Sequence, residues 1–244
     1  MSTGILTVDR LSKNFRGLAA IAEVSFAIQP RSITSIIGPN GAGKSTLFNL
    51  ITGYVEPSAG EIHFHGRRIT GLATNRIAEL GIARAFQIAR PFRDLSVHEN
   101  VRIGALFGKA GARDVAATTG KSLELAGIGH LAQQPANALT VGQLRHLEVA
   151  RAIATRGDLL LADEPCAGLN PTETAAMIDV LRRVRADGVT VVLVEHDMPS
   201  VMEISDRILV LDAGRLIADG APAEVASNPQ VIAAYLGSPE PEAA

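Results

Sequence analysis

The nine residues Gly38 to Thr46 read GPNGAGKST, preceded by the mostly β-branched run Ile33 to Ile37 and followed by the helical stretch Leu47 to Ile51. A strand that empties into a glycine-rich turn and then a helix is a cradle for a polyphosphate. The glycines let successive N–H groups point inward, and the positive end of the helix adds to their pull. Gly38, Gly41 and Gly43 supply the turn, and Pro39, Asn40, Ala42 and Thr46 complete the phosphate-binding loop. Lys44 is placed to neutralise β- and γ-phosphates, and the Ser45 hydroxyl to help hold a magnesium ion. The motif commits the chain to an α/β fold in which strands feed helices.

At 244 residues and 47% apolar content the chain can bury a full α/β core, as one large domain or a core with an inserted subdomain. Twenty-three basic against 25 acidic residues give a formal charge of -2, which argues against a nucleic-acid surface. The single cysteine, Cys166, cannot form an internal disulfide, and the start MSTGILTVDR lacks the charged and apolar regions of a secretory signal. The expectation is a cytosolic chain. No apolar run approaches the ~18 residues of a membrane span, so a membrane link would pass through partners.

After two strand-like segments, Ile5 to Val8 and Ala22 to Ile28, strand and helix alternate. Apolar strand candidates lie at Ser32 to Ile37, Ile82 to Phe86, Leu159 to Asp163, Thr190 to Val194 and Arg207 to Leu211, as expected for a parallel sheet covered on both faces. Pro171 to Asp187 reads as a helix capped by Asn170, with Met177, Ile178, Leu181 and Val184 on one face. Between Phe92 and Ala154 only helical periodicity remains, in Val97 to Phe107, Ala117 to Ala126 and Gln143 to Ala154. Gly108 to Gly120 reads as a mobile connection or a continuous helix. A hairpin around Gly214 and small helices at Pro222 to Ser227 and Pro229 to Leu236 close the pattern, with Ser238 to Ala244 disordered. The division is one domain: residues 1–91 and 155–221 a core with an N-terminal β subdomain, 92–154 helical, and 222–244 a helical tail.

In open parallel sheets ligands sit beyond the carboxyl ends of the strands. Besides the loop, three such ends carry polar chemistry: Gln87, Asp163-Glu164 and Glu195-His196-Asp197. Asp163 suits magnesium beside Ser45, because the ion is hard and keeps several waters. Glu164 can then accept a proton from water in line with the γ-phosphate, although adjacent acids also cap helices. His196 can touch the γ-phosphate and orient Glu164 or the water, and Gln87 can ligate magnesium or water through its amide oxygen.

The segment Leu139-Thr140-Val141-Gly142-Gln143, with Gln87, Asp163-Glu164, Ala167 to Asn170 and His196 in this order, resembles the ATP-binding-cassette ATPases. In that family the segment is usually Leu-Ser-Gly-Gly-Gln and faces the nucleotide of a second subunit. Thr140 offers a hydroxyl, Gly142 an unobstructed N–H, and the helix near Gln143 a positive end, while helix capping by Thr140 is compatible with either role. The resemblance implies two subunits head to tail around two ATP. Phe15 matches the aromatic that stacks on adenine, or is a core residue. More narrowly, GPNGAGKSTLFNLITGYVEPSAGEI, GIARAFQ, DEPCAGLNPTE, VEHDM and EVASNPQVIAAYLG resemble the ATP-binding subunit of branched-chain amino acid importers. This implies ATP and Mg2+ as cofactors. The expected partners are a second cassette, identical or paralogous, a pair of permease subunits and an extracytoplasmic binding protein, which places the chain peripherally on the cytoplasmic face of the inner membrane. Ile88 to Arg93 is the candidate docking surface. Thr140, Val141, Leu144, His146 and Ala85 depart from the common pattern. An ATPase for lipid or polysaccharide export, and a soluble ATP-dependent switch, are the alternatives.

Overall fold

The computed structural model describes residues 4–87, 90–109 and 114–236. Two sheets organise it. Strands β1 (Leu6–Phe15) and β2 (Leu18–Ile28) form an antiparallel hairpin, and β1 pairs again with β4 (Ala59–Phe64), which carries the short β5 (Arg67–Arg68). The second sheet runs β10-β9-β3-β8-β7-β6. Its parallel members are β3 (Ile33–Ile37), β6 (Ile82–Ala85), β7 (Leu159–Asp163), β8 (Thr190–Val194) and β9 (Arg207–Asp212), and β10 (Arg215–Gly220) returns antiparallel on β9. Every residue of β3, β7 and β8 is buried, which is why they read as unbroken apolar runs rather than alternating ones.

Helix α1 (Lys44–Ile51) leaves β3 through the phosphate loop, starting at Lys44 rather than Leu47, and buries Leu47, Phe48, Leu50 and Ile51 between the two sheets. Phe48 is fully buried, so Phe48→Ala would cost about 3–5 kcal/mol. Helix α2 (Thr74–Leu80) precedes β6, while α3 (Val97–Phe107), α4 (Val115–Leu125) and α5 (Val141–Ala154) bury a separate core of Val97, Val101, Leu123, Ile128 and Leu147. Ser96 and Glu99 form a reciprocal cap on α3 that satisfies two otherwise orphaned N–H groups. Asn170 and Glu173 do the same for α6 (Pro171–Ala186), which covers the other face of the sheet through Met177, Ile178, Leu181 and Val184. Helices α7 (Met198–Ile204), α8 (Pro222–Ala226) and α9 (Pro229–Leu236) complete the chain, and Val225 and Val231 pack in one cluster with Ile37.

The sequence reading missed β4, β5, α2 and α7. The strand β4 reads AGEIHF, with only Ile62 and Phe64 buried, and a half-polar strand with one covered face carries little apolar signal. β1 and β2 are longer than expected because polar residues such as Lys13 and Asn14 continue the pairing to the hairpin end. Part of the expected Gly108 to Gly120 connection and all of Ser238 to Ala244 lie outside the described residues.

Candidate functional site

Register brings the site together. Ile36 of β3 and Asp163 of β7 both pair with Val194 of β8, so the loop from Gly38, the Asp163-Glu164 step and the Glu195-His196 step leave the sheet at one level. Ala85 pairs with Ala162, which places Gln87 at the same edge.

Gly38 has a φ of 149°, and a Cβ there would lie 2.0 Å from the Leu211 carbonyl oxygen. Gly43 has a φ of 105° and abuts the Ala20 carbonyl of β2. No side chain fits either position. The Lys44 ammonium is buried inside the loop and donates to the carbonyls of Gly38 at 2.6 Å and Pro39 at 2.9 Å. Burial holds its pKa below the usual lysine value, opposed by the neighbouring charges of Glu164 and Asp163. A cation fixed at the mouth of a helix is matched to phosphate oxygens.

Asp163 is 6% exposed and accepts a hydrogen bond from Arg84 Nη2 at 2.6 Å. Glu164 sits at a φ of 49°, held by its own N–H on the Val194 carbonyl at 2.9 Å. Such a backbone is sparsely populated outside glycine and clusters at working sites. The next helix begins only at Pro171 and is capped by Asn170, so the alternative in which these adjacent acids cap a helix does not hold. The Gln87 amide Nε2 donates to Glu164 Oε2 at 2.5 Å, a partner the sequence reading did not foresee. Ser45, Gln87 and Asp163 line one cavity of 760 Å³. Their donors are all oxygens, and among the described residues no group of three or more His, Cys, Asp or Glu is arranged to hold a metal. That set fits magnesium, which takes few protein ligands and shares the rest with water and phosphate.

His196 stands 65% exposed at the same edge. Below it Glu195, 1% exposed, accepts the Cys166 N–H at 2.7 Å and the His196 N–H at 3.3 Å, so one carboxylate ties the turn after Glu164 to the end of β8. Burial raises the Glu195 pKa. Sequence reasoning did not single out Arg84, and it named Glu195 only as part of the polar strand end Glu195-His196-Asp197, with no role of its own. A charge inside the apolar run of β6, and the acid directly before His196, were the signals available.

Thr140 caps α5: its Oγ1 accepts from Gln143 N–H at 3.3 Å and its N–H donates to Gln143 Oε1 at 2.9 Å. Gly142, expected to offer an unobstructed N–H, is buried on its Cα side against Glu173, whose Oε1 would lie 2.7 Å from a Cβ there. Val141 between them is 60% exposed. None of these residues lines the cavity of Ser45, Gln87 and Asp163. Phe15 lies at the β1–β2 hairpin end, 45% exposed, with Lys13 Nζ 5.0 Å from its ring centre, and is not a core residue. Ala20 of that hairpin abuts Gly43.

Of the candidate docking segment, Ile88 and Ala89 lie outside the described residues. Arg90 is pinned to α5, its N–H on Glu148 at 3.2 Å and its carbonyl on Arg151 at 3.1 Å, while Phe92 and Phe107 are 49% and 77% exposed. Among the described residues no helix is long and apolar enough to cross a membrane.

Residues 21–167 match the family model described as ABC transporter, and residues 215–241 the one described as branched-chain amino acid ATP-binding cassette transporter. The chain is 40% identical over 256 aligned residues to the high-affinity branched-chain amino acid transport ATP-binding protein LivG of Salmonella typhimurium, covering 97% of this chain and 99% of that one. It superposes on the ADP conformation of MJ1267, an ATP-binding cassette of an ABC transporter, with a TM-score of 0.85, 31% identity and coverage of 96% and 99%. A dimeric post-hydrolysis cassette, MJ0796 bound to ADP and Pi, gives a TM-score of 0.80 at 25% identity, with coverage of 89% and 98%.

Proposed function

This chain belongs to the ABC transporter family as one of its ATP-binding cassettes, and we propose that it is the ATPase subunit of an importer for branched-chain or other hydrophobic amino acids. The supporting observation is the shared sheet edge: Lys44, Gln87, Asp163, Glu164 and His196 leave adjacent strands at one level. Lys44 binds the β- and γ-phosphates, exchanging its bonds to the Gly38 and Pro39 carbonyls for phosphate oxygens. Phe15 stacks on adenine. Ser45, Asp163 and Gln87 hold Mg2+, which supplies charge neutralisation at the phosphates. Glu164, positioned by Gln87, accepts the proton of the attacking water, and His196 orients that water against the γ-phosphate.

The segment Thr140 to Gln143 serves a second cassette, identical or paralogous. Its capped helix end completes that subunit's γ-phosphate site. ATP then joins two cassettes and its hydrolysis separates them, turning a chemical step into motion. The cavity rimmed by Phe86, Arg90, Ile103 and Phe107, together with exposed Phe92, is the surface on which permease subunits dock at the cytoplasmic face of the membrane. An extracytoplasmic binding protein delivers the substrate. Residues 92–154 act as the docking subdomain and 1–91 with 155–221 as the nucleotide core, followed by the tail 222–244.

The test is copurification from membranes and reconstitution into vesicles. Leucine, isoleucine or valine with its binding protein raises ATP turnover several-fold. Stimulation by a lipid or a sugar instead would overturn the cargo assignment while leaving the ATPase in place.

A further inference from the structure

We infer that Arg84 is the resident counter-cation of Asp163, a positioning residue that keeps this carboxylate aimed and makes its hold on a divalent ion depend on nucleotide phosphate. The inference rests on the reading of Asp163 as a magnesium ligand. Both side chains are nearly sealed from water, at 9% and 7% exposure. Arg84 Nη2 reaches Asp163 at 2.6 Å, while Nη1 reaches Asn49 Oδ1 at 2.7 Å and Thr52 Oγ1 at 3.3 Å. The guanidinium lies 4.9 Å from the Phe86 ring centre, 5.7 Å from Phe48 and 5.8 Å from Tyr54. Its buried Nε has no hydrogen-bond partner, so the plane is set by the rings and by the three oxygens at its other end.

A lysine lacks the fork and the flat face that this cage requires. Asn49 lies one helical turn beyond Ser45 on α1, so the helix that presents the Ser45 hydroxyl also anchors Arg84. Arg84 thereby fixes Asp163 relative to Ser45. It also sets the charge of the site. Asp163 and Glu164 face Lys44 and Arg84, two negative groups against two positive ones. A neutral cleft gives a free divalent cation little reason to enter, whereas ATP brings its own negative charge. Without Arg84, a buried carboxylate is left unpaired, and a divalent ion alone becomes its best partner.

The experiment is thermal unfolding without nucleotide, in EDTA and in millimolar Mg2+ or Mn2+. The wild-type midpoint stays the same in both. Arg84→Met melts lower in EDTA and recovers by about 3 °C or more with the ion alone. Arg84→Lys keeps the charge, stays blind to the ion and melts between the two. Arg84→Met combined with Asp163→Asn removes the unpaired charge, so it melts above Arg84→Met in EDTA and shows no metal response. Should Arg84→Met be insoluble, that double variant decides: soluble and metal-blind supports the inference, insoluble overturns it. An equal drop of Arg84→Met with and without metal would reduce Arg84 to packing and overturn it too. Asp163→Asn separates the two layers. If its ATP affinity responds to Mg2+ as the wild type's does, the ligand reading itself fails. If that response is lost while Arg84→Met shows no metal recovery, only the counter-cation role fails.

Discussion

Gln87 Nε2 lies 2.5 Å from Glu164 Oε2, joining the end of β6 to the end of β7 across the cleft. Gln87 continues into the segment that meets α5 and the exposed Phe92, so on the proposed reading this bond would connect the permease-docking side of the molecule to the general base. Glu164→Gln keeps the shape of that contact and removes the base. ATP should still bind with an affinity within about twofold of wild type, while turnover falls about 100- to 10,000-fold. Single-turnover phosphate release measures it, and wild-type turnover would contradict the assignment.

Lys44→Ala removes the donor to two loop carbonyls as well as the phosphate's cation. Hydrogen bonds to charged groups contribute about 1.5–3 kcal/mol, so ATP affinity should fall roughly 10- to 150-fold in a fluorescent-nucleotide titration. AMP, which lacks the β- and γ-phosphates, should lose far less.

Phe15 is exposed and contributes little to the core. Phe15→Ala should therefore leave the melting temperature in place. Stacking on a base is worth about 1–3 kcal/mol, which makes ATP binding at least about fivefold weaker, and Phe15→Tyr should restore it. Unchanged ATP affinity in the alanine variant would remove Phe15 from the site.

Glu195 gives a pH dependence with a definite sign. Its folded pKa is raised by burial, so the folded chain binds this proton more tightly than the unfolded one. Between the ordinary glutamate value and the raised one, stability falls as pH rises. Glu195→Gln keeps an acceptor for the Cys166 N–H and has no proton to lose. It gives up the weaker bond from the His196 N–H, so the diagnostic is the slope: its melting temperature should change less than that of wild type from neutral pH down to acid, as calorimetry over that range would show.

Much of this was readable from residues alone because the site is built at strand ends. Buried parallel strands announce themselves as apolar runs, and the polar residue after each run then has a known place. Lys44, Asp163 and His196 were located that way. Arg84 was hidden by the same logic, since a charge inside a strand reads as an interruption until its cage of Phe48, Tyr54 and Phe86 is assembled from three separate segments. The strand β4 was invisible because its partner β1 lies about fifty residues away, and pairing across that distance leaves no local trace. Gly142 shows a further limit: its neighbour Glu173 belongs to the cap of another helix.

Completion of the site by another cassette is tested most directly at Val141, which is exposed beside Thr140 at the start of α5. Sedimentation of the Glu164→Gln chain with Mg2+ and ATP should show a dimer, and adding Val141→Asp should return it to monomer with ATP affinity unchanged. A Glu164→Gln chain that dimerises equally well with Val141→Asp, or one that stays monomeric while wild-type turnover is independent of protein concentration, would contradict the account.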